Sequence, residues 1–429
     1  MNYQPIHKKL LILGATTNEI DVVKIAQKMG CYVIVTDSHE DWKHSPAKYT
    51  ANEAWNISWS NISELEVQCR KAGIDGVIAG FSEFRVENMI KLCEVLNLPC
   101  YITREQLEIT RDKKKFKTLC RQFNIKTVKE YSMEDNGKKK FPLIIKPVDR
   151  AGSIGINVAY NEKDYETYLK QALELSPSKN VIIEEYIDNG IKFDCMYEMH
   201  YGKINYIGSC DTIRLSPDKG KEVLQKAWVW PSRFSNLFRE KHDHTFRKML
   251  KEGIGMANGY CDISCFYRDG EFLVFEAGFR LTGEHSFDYQ YKKQGRNHIE
   301  TIINYAINQP ISDTIHDCGK DLKSIIYNIY FMCPKGETLD TIIGIDSLKI
   351  NEHIITIVQQ QSNGFSFENN IPVNLLMINV CSKDINIIKS NINNINESIK
   401  VLTVSGKIYN PYLILSTDEI NSAFNNSAL

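Results

Sequence analysis

Asp262, Ser264, Glu276 and Arg280 fall within one stretch of nineteen residues, DISCFYRDGEFLVFEAGFR. Asp262, Ser264 and Glu276 are oxygen donors of the kind a hard divalent cation takes, and Arg280 is a permanent cation close by. For that chemistry the stretch must fold back on itself. Runs rich in Phe, Tyr, Ile and Val flank Arg268-Asp269-Gly270, the pattern of a β-hairpin. A three-residue loop ending in Gly pairs Tyr267 with Glu271 and sets Asp262 opposite Glu276. Asp262, Ser264, Val274 and Glu276 then share one face and offer a platform for Mg²⁺. A two-residue Asp-Gly loop would shift the register by one and send Asp262 and Ser264 to the other face. The three-residue register is the one expected here; the alternative to a metal platform is a solvated hairpin with surface acids.

Other residues carry chemistry on their own terms. Lys146 ends an otherwise apolar strand, FPLIIKP, and burying an ammonium without a partner is costly. The following DRAGSIG could wrap a phosphate with backbone amides, or be a plain turn. Glu184 and Glu185 leave the strand VIIEEYIDNG. Glu83 follows a strand end, where it either faces a ligand or serves as a helix N-terminal acid. His285, in LTGEH after Arg280, is a candidate base, with a packing role as the alternative. Arg214 and Lys226 are candidates for gripping a carboxylate, and their alternative is solvated surface.

The elements that must position these groups follow from periodicity. KLLILGA, CYVIVTDSH and GIDGVIAG are buried strands that alternate with helical stretches such as TTNEIDVVKIAQKMG. That alternation predicts a parallel sheet with ligands at the carboxyl ends of its strands. The first glycine turn lacks GxGxxG, which argues against a dinucleotide cofactor. Boundaries are expected near 108 and 315: an α/β unit over 1–108, a second unit over 109–315, and a small mixed β-rich unit over 320–429.

Composition narrows the function. The chain has 429 residues, a formal net charge of −1 and twelve cysteines without a CxxC pair. There is no basic footprint for nucleic acid, no span for a membrane, and the cysteines suit a reducing cytoplasm.

In order and spacing, residues 8 to 310 resemble the ATP-grasp superfamily, including carboxylate–amine (amino-acid) ligases, biotin carboxylase and the carbamoyl phosphate synthetase large subunit. The resemblance implies an α/β and α+β protein: a pre-ATP-grasp domain with a parallel sheet, a two-lobed ATP-grasp domain over 109–315 with its small lobe at about 125–190, and a β-rich closing domain. It implies ATP and Mg²⁺ (or Mn²⁺) as cofactors, and small carboxylate and amine substrates joined through an acyl-phosphate. No nucleic acid or membrane partner is implied, and a homodimer is an expected state.

By position, Lys113 and Lys146 match the family's two ATP lysines. Gly152, Ser153 and Gly155 match its flap over the phosphates. Glu184 matches the acceptor for the adenine amino group, with Glu185 and Ile187 giving main-chain contacts. Lys192 stands where a ribose-binding glutamate is usual, and Asp194 is expected to replace it. Glu276 and Arg280 match the acid and arginine of the E-x-N-x-R ending, with Gly278 in place of the asparagine. Ser264 stands where a second acid is common. Either Asp262 substitutes as ligand, or Mg²⁺ is held mainly by the nucleotide's phosphates. The alternatives are a nucleotide binder without turnover and a kinase-like phosphoryl transferase.

Overall fold

A computed structural model describes residues 7–135, 139–148, 155–215, 224–312, 319, 321–368 and 371–425. Among them, β-branched apolar runs separated by amphipathic helices give a first sheet of parallel strands, Lys9–Leu13, Tyr32–Thr36, Glu53–Trp55 and Gly76–Ala79. The first strand lies between the second and the fourth, so the chain reverses its direction of winding there. The helices Glu19–Lys28 and Glu83–Leu96 each begin at the carboxyl end of one of these two strands.

A second, antiparallel sheet orders its strands Glu130–Tyr131, Val181–Glu185, Leu143–Pro147 and Asn157–Ala159. The helix Glu162–Leu175 covers it, burying Tyr165 and Ala172 against Leu143, Ile145 and Ile183. The third sheet is the largest. Its antiparallel order runs Glu271–Gly278, Gly259–Arg268, Ile191–His200, Lys203–Leu215, Leu224–Trp230, Lys323–Phe331, Val373–Ser382 and Ile354–Gln359. Tyr327 opposite Ala227 carries this sheet across residue 320, so three late strands extend it rather than forming a sheet of their own. The helix Ile385–Ser398 and the small sheet of Leu339–Ile343, Lys400–Thr403 and Ile408–Tyr409 accompany a second core around Tyr327 and Ile378. No helix among the described residues is long and apolar enough to cross a membrane.

The hairpin corrects the expected register. Its loop has two residues, Asp269 (φ 52°) and Gly270 (φ 82°), and Arg268 pairs with Glu271. Both turn residues are left-handed, which matches the twist of the flanking strands better than a type I turn does. Cys265 pairs with Val274 and Ser264 with Glu276, so Phe275 is an extra residue, a β-bulge. The bulge adds a second one-residue shift in the same direction, which brings Asp262, Ser264 and Glu276 back to one face but two residues out of the expected pairing. Glu276 stands opposite Ser264, Asp262 stands opposite Gly278, and Val274 points into the core on the other face.

Candidate active site

The small-lobe strands bring the first group together. Lys146 and Glu184 lie on adjacent strands, and Lys146 Nζ is 2.8 Å from Glu184 Oε2. The other carboxylate oxygen, Oε1, accepts from Lys117 of the helix Lys113–Gln122. Lys117 is fully buried and also lies 2.6 Å from Glu130 Oε1. Burial alone would push the Glu184 carboxyl up, but Lys146 and Lys117 overcome it and hold it below the usual carboxylate range. Burial likewise pulls the Lys146 ammonium down, and Glu184 and then Glu276 restore it above its ordinary value. Glu184, expected to face an adenine amino group, thus has both oxygens occupied by ammoniums. Sequence reasoning passed over Lys117. Its only local signal is its place one turn after Lys113, with Phe116 and Cys120 marking the buried side of that helix.

Beyond the strand, Glu185 pairs with Arg268 at the hairpin tip. Ile187 O accepts from Arg214 Nη2 at 3.3 Å, Gly190 O accepts from the same nitrogen at 2.9 Å, and the guanidinium lies 4.7 Å over the Phe266 ring. Arg214 therefore grips the connection between lobes. Lys192 and Asp194 form a buried ion pair at 2.8 Å, and Asp194 also accepts from Thr212 Oγ1 and Ser264 Oγ. Ser264 spends its proton on Asp194, across the strand pair that aligns them. Lys226 donates to both oxygens of Glu419, at 2.7 and 2.9 Å, and is committed to the helix Thr417–Phe424.

The hairpin's end forms the second group. Asp262, Glu276, Gly278 and Arg280 line a small polar cavity of about 40 Å³ with Glu83 and Lys113. Lys113 Nζ is 4.0 Å from Glu276 Oε2, and Arg280 Nε is 3.8 Å from Glu83 Oε1. A Cβ on Gly278 would sit 2.7 Å from Asp262 Oδ1, so the glycine leaves the room that the Asp262 carboxylate takes. That oxygen is buried and accepts no hydrogen bond among the described residues. Burial pushes the Asp262 carboxyl up to about 8; Arg280 opposes the rise, while Asp194, Glu284 and Glu276 add to it. Burial pulls the Arg280 guanidinium down, but Asp262, Glu83 and Glu276 more than offset it. An orphaned carboxylate oxygen facing a second carboxylate fits a cation. No group of three or more His, Cys, Asp or Glu among the described residues is arranged to hold one.

The remaining candidates separate. Gly152 and Ser153 lie outside the described residues. Gly155 (φ 78°) packs so tightly that a Cβ would meet Leu175 Cδ1 at 2.9 Å and Pro147 Cγ at 3.0 Å. His285 is fully buried, with Nε2 3.2 Å from Asn18 Oδ1 and Nδ1 3.2 Å from Asp21 Oδ2, stacked on Phe81. It faces the N-terminal loops rather than the cavity.

A profile of the D-ala D-ala ligase C-terminus matches residues 108–204, the segment that carries Lys113, Lys146, Glu184 and Asp194. The matched segment is an ATP-grasp ligase domain. The chain is 27% identical over 198 residues to a formate-dependent phosphoribosylglycinamide formyltransferase of Prochlorococcus marinus, covering 44% of this chain and 49% of that protein. It thus spans about half the length of the first curated relatives it matches. Two solved structures share the ATP-grasp fold. The biotin carboxylase domain of Hydrogenobacter thermophilus 2-oxoglutarate carboxylase, with MgADP and bicarbonate, has a TM-score of 0.76 at 17% identity, covering 94% of this chain and 91% of that one. The L-amino acid ligase of Bacillus licheniformis has a TM-score of 0.74 at 17% identity, covering 92% and 98%.

Proposed function

We propose that this ATP-grasp protein is an ATP-dependent ligase that joins a small carboxylate to an amine through an acyl-phosphate. The observation that carries the reading is the convergence of Lys113, Glu276, Asp262, Arg280 and Glu83 on one cavity, with Lys146 close enough to Glu276 to feel its charge. In this reading Lys113 and Lys146 grip the phosphates as point charges. Gly155 belongs to the flap that covers them. Glu185 and Ile187 contact adenine through the main chain, while Glu184 and Asp194, whose oxygens are taken by Lys117, Lys146, Lys192, Thr212 and Ser264, hold the lysines and strands in place rather than touching the nucleotide. A carboxylate oxygen of the substrate attacks the γ-phosphorus in line and ADP leaves. The amine then attacks the acyl carbon, phosphate leaves, and the amine proton passes to solvent or to the departing phosphate. Arg280 offsets charge on the transferring group, and catalysis is mostly positioning. The flap excludes water that would hydrolyse the acyl-phosphate. Mg²⁺, when bound, neutralises the phosphate oxygens. Glu276 and Asp262 would hold it, with the Ser264 oxygen beside them, and Mg²⁺ tolerates so few protein ligands because it keeps several waters.

The reading predicts ADP release from Mg-ATP that depends on adding a carboxylic acid. ATP binding with no stimulation by any carboxylate pool would contradict it. That outcome would favour nucleotide binding without turnover, a reading supported by the lack of a three-ligand metal group among the described residues. A stable phosphorylated substrate, identified by mass, would instead mark a kinase-like transfer.

The replacement of the usual asparagine by Gly278 gives a sharper expectation. Asp262→Asn should weaken Mn²⁺ binding in the presence of ADP by about tenfold or more, read by electron paramagnetic resonance. Gly278→Asn should do the same, because its side chain would displace the Asp262 carboxylate. Unchanged Mn²⁺ affinity in both variants would remove Asp262 from the metal site.

A further inference from the structure

Open parallel sheets take ligands in the crevice where the winding reverses, and a helix N-terminus there is suited to a phosphate. In this protein the crevice lies between the exits of Lys9–Leu13 and Gly76–Ala79, at Gly14 and Gly80, beside the start of the helix Glu19–Lys28. It is filled from within. Glu19, fully buried, turns back so that its Oε2 accepts from Thr16 N at 2.7 Å and Thr16 Oγ1 at 2.6 Å. Its Oε1 accepts from Arg85 Nη1 at 2.7 Å. A Cβ on Gly14 would lie 2.5 Å from the Arg85 guanidinium, and one on Gly80 would lie 2.7 Å from Glu19 Oε1. Both glycines are therefore required by this ion pair, which uses the donors a phosphate would need.

One of these loops reaches the reaction site: Glu83, two residues before Arg85, lines the cavity and lies 3.8 Å from Arg280. The crevice thus adjoins, through Glu83, the cavity that holds Arg280 and Glu276.

We infer that Glu19 and Arg85 are specificity residues that close this crevice to phosphorylated acceptors, so the amine substrate is small and unphosphorylated, of the amino-acid class. The first curated relatives are named for a phosphoribosyl substrate; here a phosphate would meet the Glu19 carboxylate, a like charge placed against the wrong ligand. The inference rests on the ligase reading for its substrate, but the closed crevice can be tested without turnover.

The test is calorimetric titration of inorganic phosphate and of ribose 5-phosphate into the full chain held saturated with a non-hydrolysable Mg-ATP analogue, so that Lys113, Lys146 and Arg280 are already occupied, with Glu19→Ala and the isosteric Glu19→Gln beside wild type. Wild type should show no saturable binding at millimolar ligand. At least one folded variant should bind phosphate about tenfold or more tightly than the wild-type limit, as expected for relief of about 1.4 kcal/mol of repulsion. Saturable phosphate binding by wild type, or none by either folded variant, overturns the inference. If no carboxylate and amine together release ADP, the ligase reading fails while the titration still decides the crevice. If phosphorylated amines drive ADP release and plain amines do not, the specificity is overturned and the ligase reading stands.

Discussion

Arg280→Lys lowers kcat for ADP release by about 10²- to 10³-fold while the protein melts within a few degrees of wild type. The lysine keeps a positive charge, so the loss isolates what the guanidinium does by shape. Arg280 donates from Nη1 to Leu281 O at 3.3 Å and lies 3.8 Å from Glu83 through Nε, and it lines the cavity together with Asp262. A single ammonium cannot hold those backbone and carboxylate contacts and also brace a transferring phosphoryl group. Steady-state ADP formation and a thermal melt on the same samples separate the two roles. A fall in melting temperature with kcat unchanged would show that Arg280 only pins Glu83 to the hairpin.

Lys117→Met costs about 3 kcal/mol or more in urea unfolding, because it strips a buried partner from Glu184 and Glu130. Glu184 keeps Lys146, and Glu130 keeps Arg121 at 3.2 Å, but the Glu184 oxygen that faced Lys117 is left bare in a site that is 2% exposed. Adding Glu184→Gln should recover part of the loss, since the two residues share one network and their effects do not add. Lys146 then loses its anchor, so the double variant should bind ADP more weakly than Lys117→Met alone, measured by titration. Additive destabilisation by the two changes would mean that the buried ion pairs are independent.

The parts of this molecule written in local pattern were legible from the sequence. Apolar runs such as KLLIL and YVIVT alternate with amphipathic helices, and this fixes a parallel sheet without any long-range information. Lys146 stood out because a lone ammonium on an apolar strand demands a partner, and Glu184 supplies it. The hairpin was visible, but its register was not. The bulge at Phe275 leaves no mark in a run that reads as continuous strand, yet it decides which residue faces Glu276. Lys117 was hidden for a related reason: in KKKFK it looks like one more solvated charge, and only the strand behind it makes it a buried one. The Glu19–Arg85 pair spans 66 residues, and the join of Tyr327 to Ala227 spans a hundred. Neither has a local signature, since such contacts are set by topology.

The central claim, an acyl-phosphate between substrate carboxylate and amine, is tested most directly by isotope transfer. A substrate carboxylate labelled with ¹⁸O, turned over with Mg-ATP and an amine, should deliver one carboxylate oxygen to the released inorganic phosphate. This follows because the oxygen that attacks the γ-phosphorus departs with it when the amine takes the acyl group. Mass analysis of the phosphate reads the label. Phosphate without label, released alongside ADP, would mean that water and not the carboxylate attacks ATP, and the account would be wrong.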